Sequence, residues 1–384
     1  MSKHFNIYFL LKIKILPTSL LLLSLYSCSR KPGDDLSNNQ KLHHSETVYA
    51  KEFGYSHQEG YSILWIGRRD EKIIEYFLIP AGKSIPDQIK GQTNLIRTPV
   101  RSVVCTSTTQ VPWLDLLESS NLLTGFPDPG YLYSAVQRSR FASGALKDLG
   151  GNSVLESEGL VELKPDLILS FSGRTESQQQ VLLKKSNTTL VQTREHLEAH
   201  PLGRAEWIRF MGILLDRELM ADSIFNSVVS AYENQTNRNF KIADHPVVIT
   251  GIPYSGIWHM PGGGSYAAML FNDAGFDYPW ANERAQAVIP LSFEKVFPVG
   301  IQADVWIGAS NHQTIDQLIL SEKRFKNFQS VMLGQVWVYD RRSLPSGGND
   351  YFESAGVRPD LVLKDLIGIR TGKTDSLYFY RKLN

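Results

Sequence analysis

Residues Glu158–Gly173 read "EGLVELKPDLILSFSG", and residues Glu294–Gly308 read "EKVFPVGIQADVWIG". In each, a Glu and a short apolar stretch lead to an Asp, and the Asp leads into an apolar run that ends at small residues. A short helix followed by a strand gives this pattern, and a continuous apolar run marks a parallel strand covered on both faces. Two copies in distant parts of one chain predict two lobes of similar build.

The flanking sequence agrees. Around the first copy, "VRSVVCTST" reads as a strand, "QVPWLDLLESS" as a helix, "NLLTGFP" as a strand and turn, "ESQQQVLLKKSN" as a helix and "TTLVQT" as a strand. Around the second, "PVVITGIP" is a strand, "GGGSYAAMLFNDAG" a loop and helix, "SFEKVF" a helix, "TIDQLILSEKRFKNF" helical, "QVWVYD" a strand and "RPDLVLKDLIGIRTG" a closing helix. Strands alternating with helices imply parallel sheets with helices on their faces. Between the lobes, Pro201 to about Asn239 forms one long helical pattern, with Trp207, Phe210, Met211, Leu214, Leu215, Met220, Ile224 and Val228 on a broad apolar face. Gly212 either weakens that helix or lets something pack closely on it. Ahead of the first lobe, Val48 to Pro99 has strand character, with "YSILWIG" and "KIIEYFLIP" reading as paired strands. The expected fold is α/β: two Rossmann-like α/β lobes joined by one long backbone helix, with extra N-terminal β-strands.

The chain has 384 residues, 42% hydrophobic and 21% charged, enough for two domains with real cores. A net charge of +1 argues against a nucleic-acid partner, which would need a basic excess. Lys3, Lys12 and Lys14 precede "ILPTSLLLLSLYSC", Ile15–Cys28, the layout of an export signal too short to span a membrane well. The polar run after Cys28 reads as a flexible tether, with His43 and His44 as weak metal candidates. The expected boundaries are 1–27 signal peptide, 28–46 tether, 47–98 strand extension, 99–198 first lobe, 199–243 linking helix and 244–384 second lobe. Cys105, in a strand, is either a small core residue or a nucleophile.

The "LYSC" ending, Leu25 to Cys28, resembles a lipobox, which implies lipidation at Cys28 and a membrane anchor. The stretches "PVRSVVCTSTTQVPWLDLLE", "ELKPDLILS", "PGGGSYAAMLFNDAG" and "NFQSVMLGQVWVYD", in that order behind a lipobox, resemble the substrate-binding lipoproteins of ABC importers for iron complexes and vitamin B12. The resemblance runs from about Pro99 to Gly372. It implies a periplasmic, lipid-anchored monomer that captures a ferric siderophore, haem or cobalamin between its lobes and passes it to an ABC permease. ATP hydrolysis would belong to that partner, and neither catalysis nor a resident cofactor is expected. It also implies that Glu158 and Glu294 dock on permease arginines, as carboxylate–guanidinium pairs do. Glu294 stands ten residues before Asp304 and Glu158 eight before Asp166, so two residues are inserted in the second copy. The plainer reading of both is a helix-start carboxylate.

Ligands of two-lobe proteins lie on loops at strand ends. Those loops offer Phe126, Tyr131 and Arg174 in the first lobe, and Tyr254, Trp258, His259, Tyr266 and Trp280 in the second. Aromatic faces suit a corrin or porphyrin, and Arg174 suits an anionic ligand. His259 is either an axial metal ligand or a hydrogen-bonded surface residue. Two other functions stay open. One is a zinc or manganese receptor, though the chain has only 9 His. The other is an α/β enzyme that holds phosphate on the Gly-rich loop at 262–265, which lacks the Lys-Ser/Thr of a P-loop.

Overall fold

The computed structural model describes residues 47–68, 70–150, 157–171, 188–239, 245–309 and 312–384. The export signal, Cys28, the tether, Arg174 and the helix expected from "ESQQQVLLKKSN" lie outside the described residues.

The N-terminal extension is one sheet in the order β1-β2-β3-β4: Phe53–Gln58, Tyr61–Ile66, Ile74–Pro80 and Leu95–Thr98. Its period-2 pattern gives it two apolar faces. Ile63, Trp65, Phe77 and Ile79 form a small core with Ile89. Phe53, Leu64, Tyr76 and Leu78 join the main core.

The first lobe is a parallel sheet in the order β7-β6-β5-β8-β9: Lys147–Asp148, Leu123–Phe126, Val103–Cys105, Leu167–Phe171 and Thr189–Thr193. Val103, Cys105, Leu167 and Leu169 face the main core. Val104, Ile168 and Leu190 face a second core with Leu149 and Leu160. Burial on both sides explains why these strands read as unbroken apolar runs. The helices are α1 (Val111–Leu116), α2 (Ala135–Ala142) and α3 (Ser157–Leu163).

The linker departs from expectation. The stretch from Pro201 to Asn239 is two helices, α4 (Pro201–Leu215) and α5 (Glu218–Asn239). Asp216 takes the left-handed conformation, φ 57°, and ends α4; Asp is among the few non-Gly residues that tolerate it. The two helices then pack side by side: Arg209 pairs with Asp222 at 2.7 Å, and a Cβ at Gly212 would lie 2.6 Å from the Cβ of Ala221. Gly212 is therefore there for close approach. The apolar stripe runs across the break because both helices bury into one core.

Short β10 (Val248–Thr250), β14 (Val305–Ile307) and β15 (Val336–Val338) run parallel in the second lobe, with β16 (Arg381–Lys382) antiparallel at the edge. A separate antiparallel sheet, β11 (Pro253–Tyr254), β12 (Ile257–Pro261) and β13 (Val288–Ser292), packs on this lobe. The helices are α6 (Tyr266–Asp273), α7 (Phe293–Gly300), α8 (Ile315–Ser321), α9 (Gln329–Met332), α10 (Asp350–Ser354) and α11 (Pro359–Thr371).

The extension is pinned to the linker by buried carboxylates. Glu206, fully buried on α4, accepts the amides of Val48, Tyr49 and Ala50 at 2.7–2.8 Å. Glu198 accepts those of Lys51 and Glu52 and the Trp207 indole N–H. Burying a carboxylate is costly unless donors surround it, and here they do.

Candidate ligand-binding site

The repeated motif builds the same joint in both lobes. In the first, α3 is followed by Asp166, whose Oδ2 accepts the amides of Arg101 (2.8 Å) and Ser102 (3.1 Å) just ahead of β5. In the second, α7 is followed by Asp304, whose Oδ2 accepts the amide of Val247 (2.8 Å) just ahead of β10 and whose Oδ1 accepts from Gln329 (2.7 Å). Glu158 and Glu294 are each the second residue of their helix, and both are exposed. Of the two extra residues, one lengthens the helix from seven residues to eight and one lies between helix and strand, so both come after the Glu. The carboxylate of Glu294 is 3.9 Å from Arg324.

The lobes meet at the carboxyl ends of their strands. Glu353 on α10 accepts the amides of Tyr133 (2.7 Å) and Ser134 (2.9 Å) from the first lobe. Gly348 lets the chain cross there, since a Cβ would lie 2.7 Å from the Tyr131 carbonyl oxygen. Arg342 pairs with Asp350 at 2.6 Å and sits over the Tyr133 ring at 5.2 Å. Burial, with Asp115 and Asp350 nearby, raises the Glu353 carboxyl to about 7 against the pull of its two amide donors.

A cavity of about 210 Å³ opens at the second lobe's strand ends, beside Thr250, Ile307 and Tyr339. Its aromatic wall is Tyr266, Tyr339, Tyr351, Phe352 and Tyr380. Tyr339 and Tyr351 stack at 4.6 Å and 13°. Burial pushes the Tyr351 and Tyr380 phenols well above their ordinary range, so both are neutral near pH 7. Arg204 on α4 lies over the Tyr266 ring at 4.2 Å. Its Nε is buried with no partner among the described residues. Nearby His196 packs on Phe171, the last residue of β8, at 4.3 Å; burial lowers its pKa and keeps the ring neutral. A cation held against an aromatic ring with an unmet donor suits an anionic, partly planar ligand.

Of the residues expected from sequence, Tyr266 lines this cavity. Tyr131 is 57% exposed at the lobe seam, and Tyr254 is 76% exposed at the end of β11. Trp258 is not in a cleft loop. It is fully buried among Phe293, Trp306 and Phe328, and its indole N–H donates to the Thr250 carbonyl at 2.8 Å. Strand β12 alternates, so Trp258 and Met260 point inward and Ile257 and His259 outward. His259 is thus on the opposite face from the buried core and does not line the tyrosine-walled cavity. Phe126 is core at 3% exposure. Trp280 is half-buried and packs against both large cores. Sequence reasoning missed Tyr339, Tyr351, Phe352, Tyr380, Arg204 and His196. The first three were within reach, because they flank a Gly- and Pro-rich loop directly after β15.

The alternatives fare unequally. The glycines at 262–264 do not cradle phosphate. Their amides donate to Ala287, Glu283 and Ala285 carbonyls, and Cβ atoms at Gly262 and Gly263 would lie 2.0 and 2.1 Å from Ala285 and Ala281 oxygens. Cys105 is fully buried and its thiol is pushed up by desolvation, which removes it as a nucleophile. Among the described residues no group of three or more His, Cys, Asp or Glu is placed to hold a metal ion. No described helix is long and apolar enough to cross a membrane.

The sequence pattern described as periplasmic binding protein matches residues 103–342. The chain belongs to the periplasmic binding protein family. It is 22% identical over 312 residues to an uncharacterized lipoprotein of Methanocaldococcus jannaschii, covering 78% of this chain and 72% of that one. Its fold is similar to the triscatecholate siderophore binding protein FeuA from Bacillus subtilis, solved with ferri-bacillibactin, at a TM-score of 0.54 and 16% identity over 77% of this chain and 98% of that one. It is similar also to a periplasmic heme binding protein from Pseudomonas aeruginosa, at a TM-score of 0.55 and 14% identity over 74% and 98%. The family is one of solute binders, and the extension before residue 103 lies outside the matched region.

Proposed function

We propose that this binding protein captures an anionic metal chelate, a ferric siderophore or haem, between its lobes and delivers it to an ABC permease. The observation that carries this reading is the tyrosine-walled cavity at the second lobe's strand ends, with Arg204 over one of its rings. At about 210 Å³ it is smaller than typical ligand pockets of ~300–1,000 Å³, so it takes one arm or edge of the chelate. The exposed rings of Phe352 and Tyr131 at the seam receive the rest. The solved proteins that bind a ferric triscatecholate and haem on this fold support the class of cargo. Cobalamin lacks the anionic character that Arg204 favours and is the competing cargo.

Delivery uses Glu158 and Glu294. Their shared place on equivalent helices and their exposure support docking on a two-fold-related permease. Cys28 carries the lipid that keeps the receptor on the membrane, in the periplasm. The test is a fluorescence titration of the purified chain with haemin, ferric triscatecholates and cobalamin, with zinc as control. Saturable quenching below micromolar by one anionic chelate is expected. A folded chain that binds none of them would overturn the reading, and cobalamin alone would overturn the role of Arg204.

A further inference from the structure

A second cavity, of about 290 Å³, lies where the N-terminal extension meets both lobes. The extension contributes Tyr49, Lys51 and Arg68 to its wall, the loop before α4 contributes Leu197 and His200, and the second lobe contributes Met269. None of these residues lines the tyrosine cavity, and the extension's share lies outside the family's matched region. The hairpin bearing Arg68 reaches the second lobe directly, since its guanidinium donates to the Gln286 side chain at 3.3 Å.

The chemistry of the wall is one-sided. Its carboxylates are already used: Glu198 holds three N–H donors, and Glu52 pairs with Arg194 at 2.8 Å. Its cations stay open to solvent. Lys51 is exposed, and Arg68 keeps a third of its side chain exposed although it donates to Asp70 and to Gln286, each at 3.3 Å. His200 is neutral because burial lowers its pKa, and its Nδ1 accepts the Leu202 amide at 3.0 Å. The ring proton therefore sits on Nε2, which makes a third donor. Val48, Leu197, Ala199 and Met269 supply an apolar floor. Carboxylates already paired with cations or amides, exposed cationic side chains and an apolar floor select one kind of guest.

We propose that this cavity is a binding site for a small organic anion, a carboxylate on an apolar body, separate from the cargo site. Its carboxylate meets Arg68, Lys51 and the His200 Nε2–H, and its apolar body lies against Met269 and Leu197. Such a guest touches the extension, the first lobe and the second lobe at once, so its binding ties the three together. The inference stands whether or not the cargo is a chelate.

The test titrates the full chain with benzoate and 4-phenylbutyrate by calorimetry and ligand-observed NMR, with neutral benzamide as control. At least one acid binds saturably within about 10 mM, and benzamide binds at least tenfold more weakly. Arg68→Ala, a part-exposed change that leaves the core untouched, weakens the acid at least tenfold. Met269→Trp, which fills the cavity, abolishes binding in a variant whose thermal unfolding stays cooperative. Three results overturn the proposal: no binding of either acid, equal binding of acid and amide, or full affinity in the folded Arg68→Ala chain.

Discussion

In the first lobe, Asp166 holds two amides at the start of β5 from an exposed position; in the second, Asp304 holds one amide at the start of β10 and a glutamine besides, half-buried. The two joints use the same residue for the same task, to fix where one parallel strand begins beside the next. The Glu at the head of each copy makes no such joint. Both stand on the surface at the same helix position, although the sequence spacing differs by two. The repeat thus contains a buried-strand joint, the Asp, and an exposed carboxylate in the first helical turn, the Glu. A surface carboxylate at equivalent positions of both lobes is what the proposed docking would use.

The strand-end loops differ more. The first lobe's loop after β5 is polar and tied inward: the Gln110 side chain accepts the amides of Thr106 and Ser107 and donates to Thr193 at 2.9 Å. After β15 the second lobe carries the ring of Tyr339 on its loop and those of Tyr351 and Phe352 on α10. One lobe offers a fixed polar rim and the other an aromatic wall.

The largest expected effect separates the two halves of the repeat. Changing Glu158 and Glu294 together to Ala reduces transport in a reconstituted importer to the level without receptor, and leaves cargo affinity within about twofold. Each single change gives an intermediate rate. Full loss from one and none from the other would break the equivalence of the lobes.

A smaller effect concerns the seam between them. Burial raises Glu353 from 4.5 to about 7. The folded state therefore holds a proton that the unfolded chain has released, and this group's contribution to stability is fully present below pH 4.5 and lost as pH rises through about 7. Denaturant unfolding should show a decline on the order of 2–3 kcal/mol across that window, and Glu353→Gln should flatten it. A parallel decline in the Gln variant would remove Glu353 as its source.

The Asp pair gives the smallest contrast. Asp304→Ala should cost about 2 kcal/mol and Asp166→Ala about 1, because water replaces the lost acceptor more readily at the exposed site. Equal costs by urea unfolding would mean that burial does not distinguish the joints.

The α/β class, both lobes and the N-terminal strands were legible because parallel strands and their covering helices leave contiguous apolar runs. The break at Asp216 was not, since a stripe buried on one core continues across it. Trp258 was misplaced because Pro253, Gly256 and Pro261 disguise a hairpin as a loop, although Ile257, Trp258, His259 and Met260 do alternate. Arg204 was beyond sequence reasoning: its contact with Tyr266 joins residues 62 positions apart through the packing of α4 on α6.

The most direct test of the capture site is the dissociation constant of the preferred chelate in the wild type and in Phe352→Ala. Phe352 is 55% exposed and packs edge-on to Tyr339 at 5.3 Å, so its truncation spares the core. At least a tenfold loss, about 1.4 kcal/mol, is predicted. An unchanged constant in the folded variant would contradict the assignment of the tyrosine-walled cavity as the cargo site.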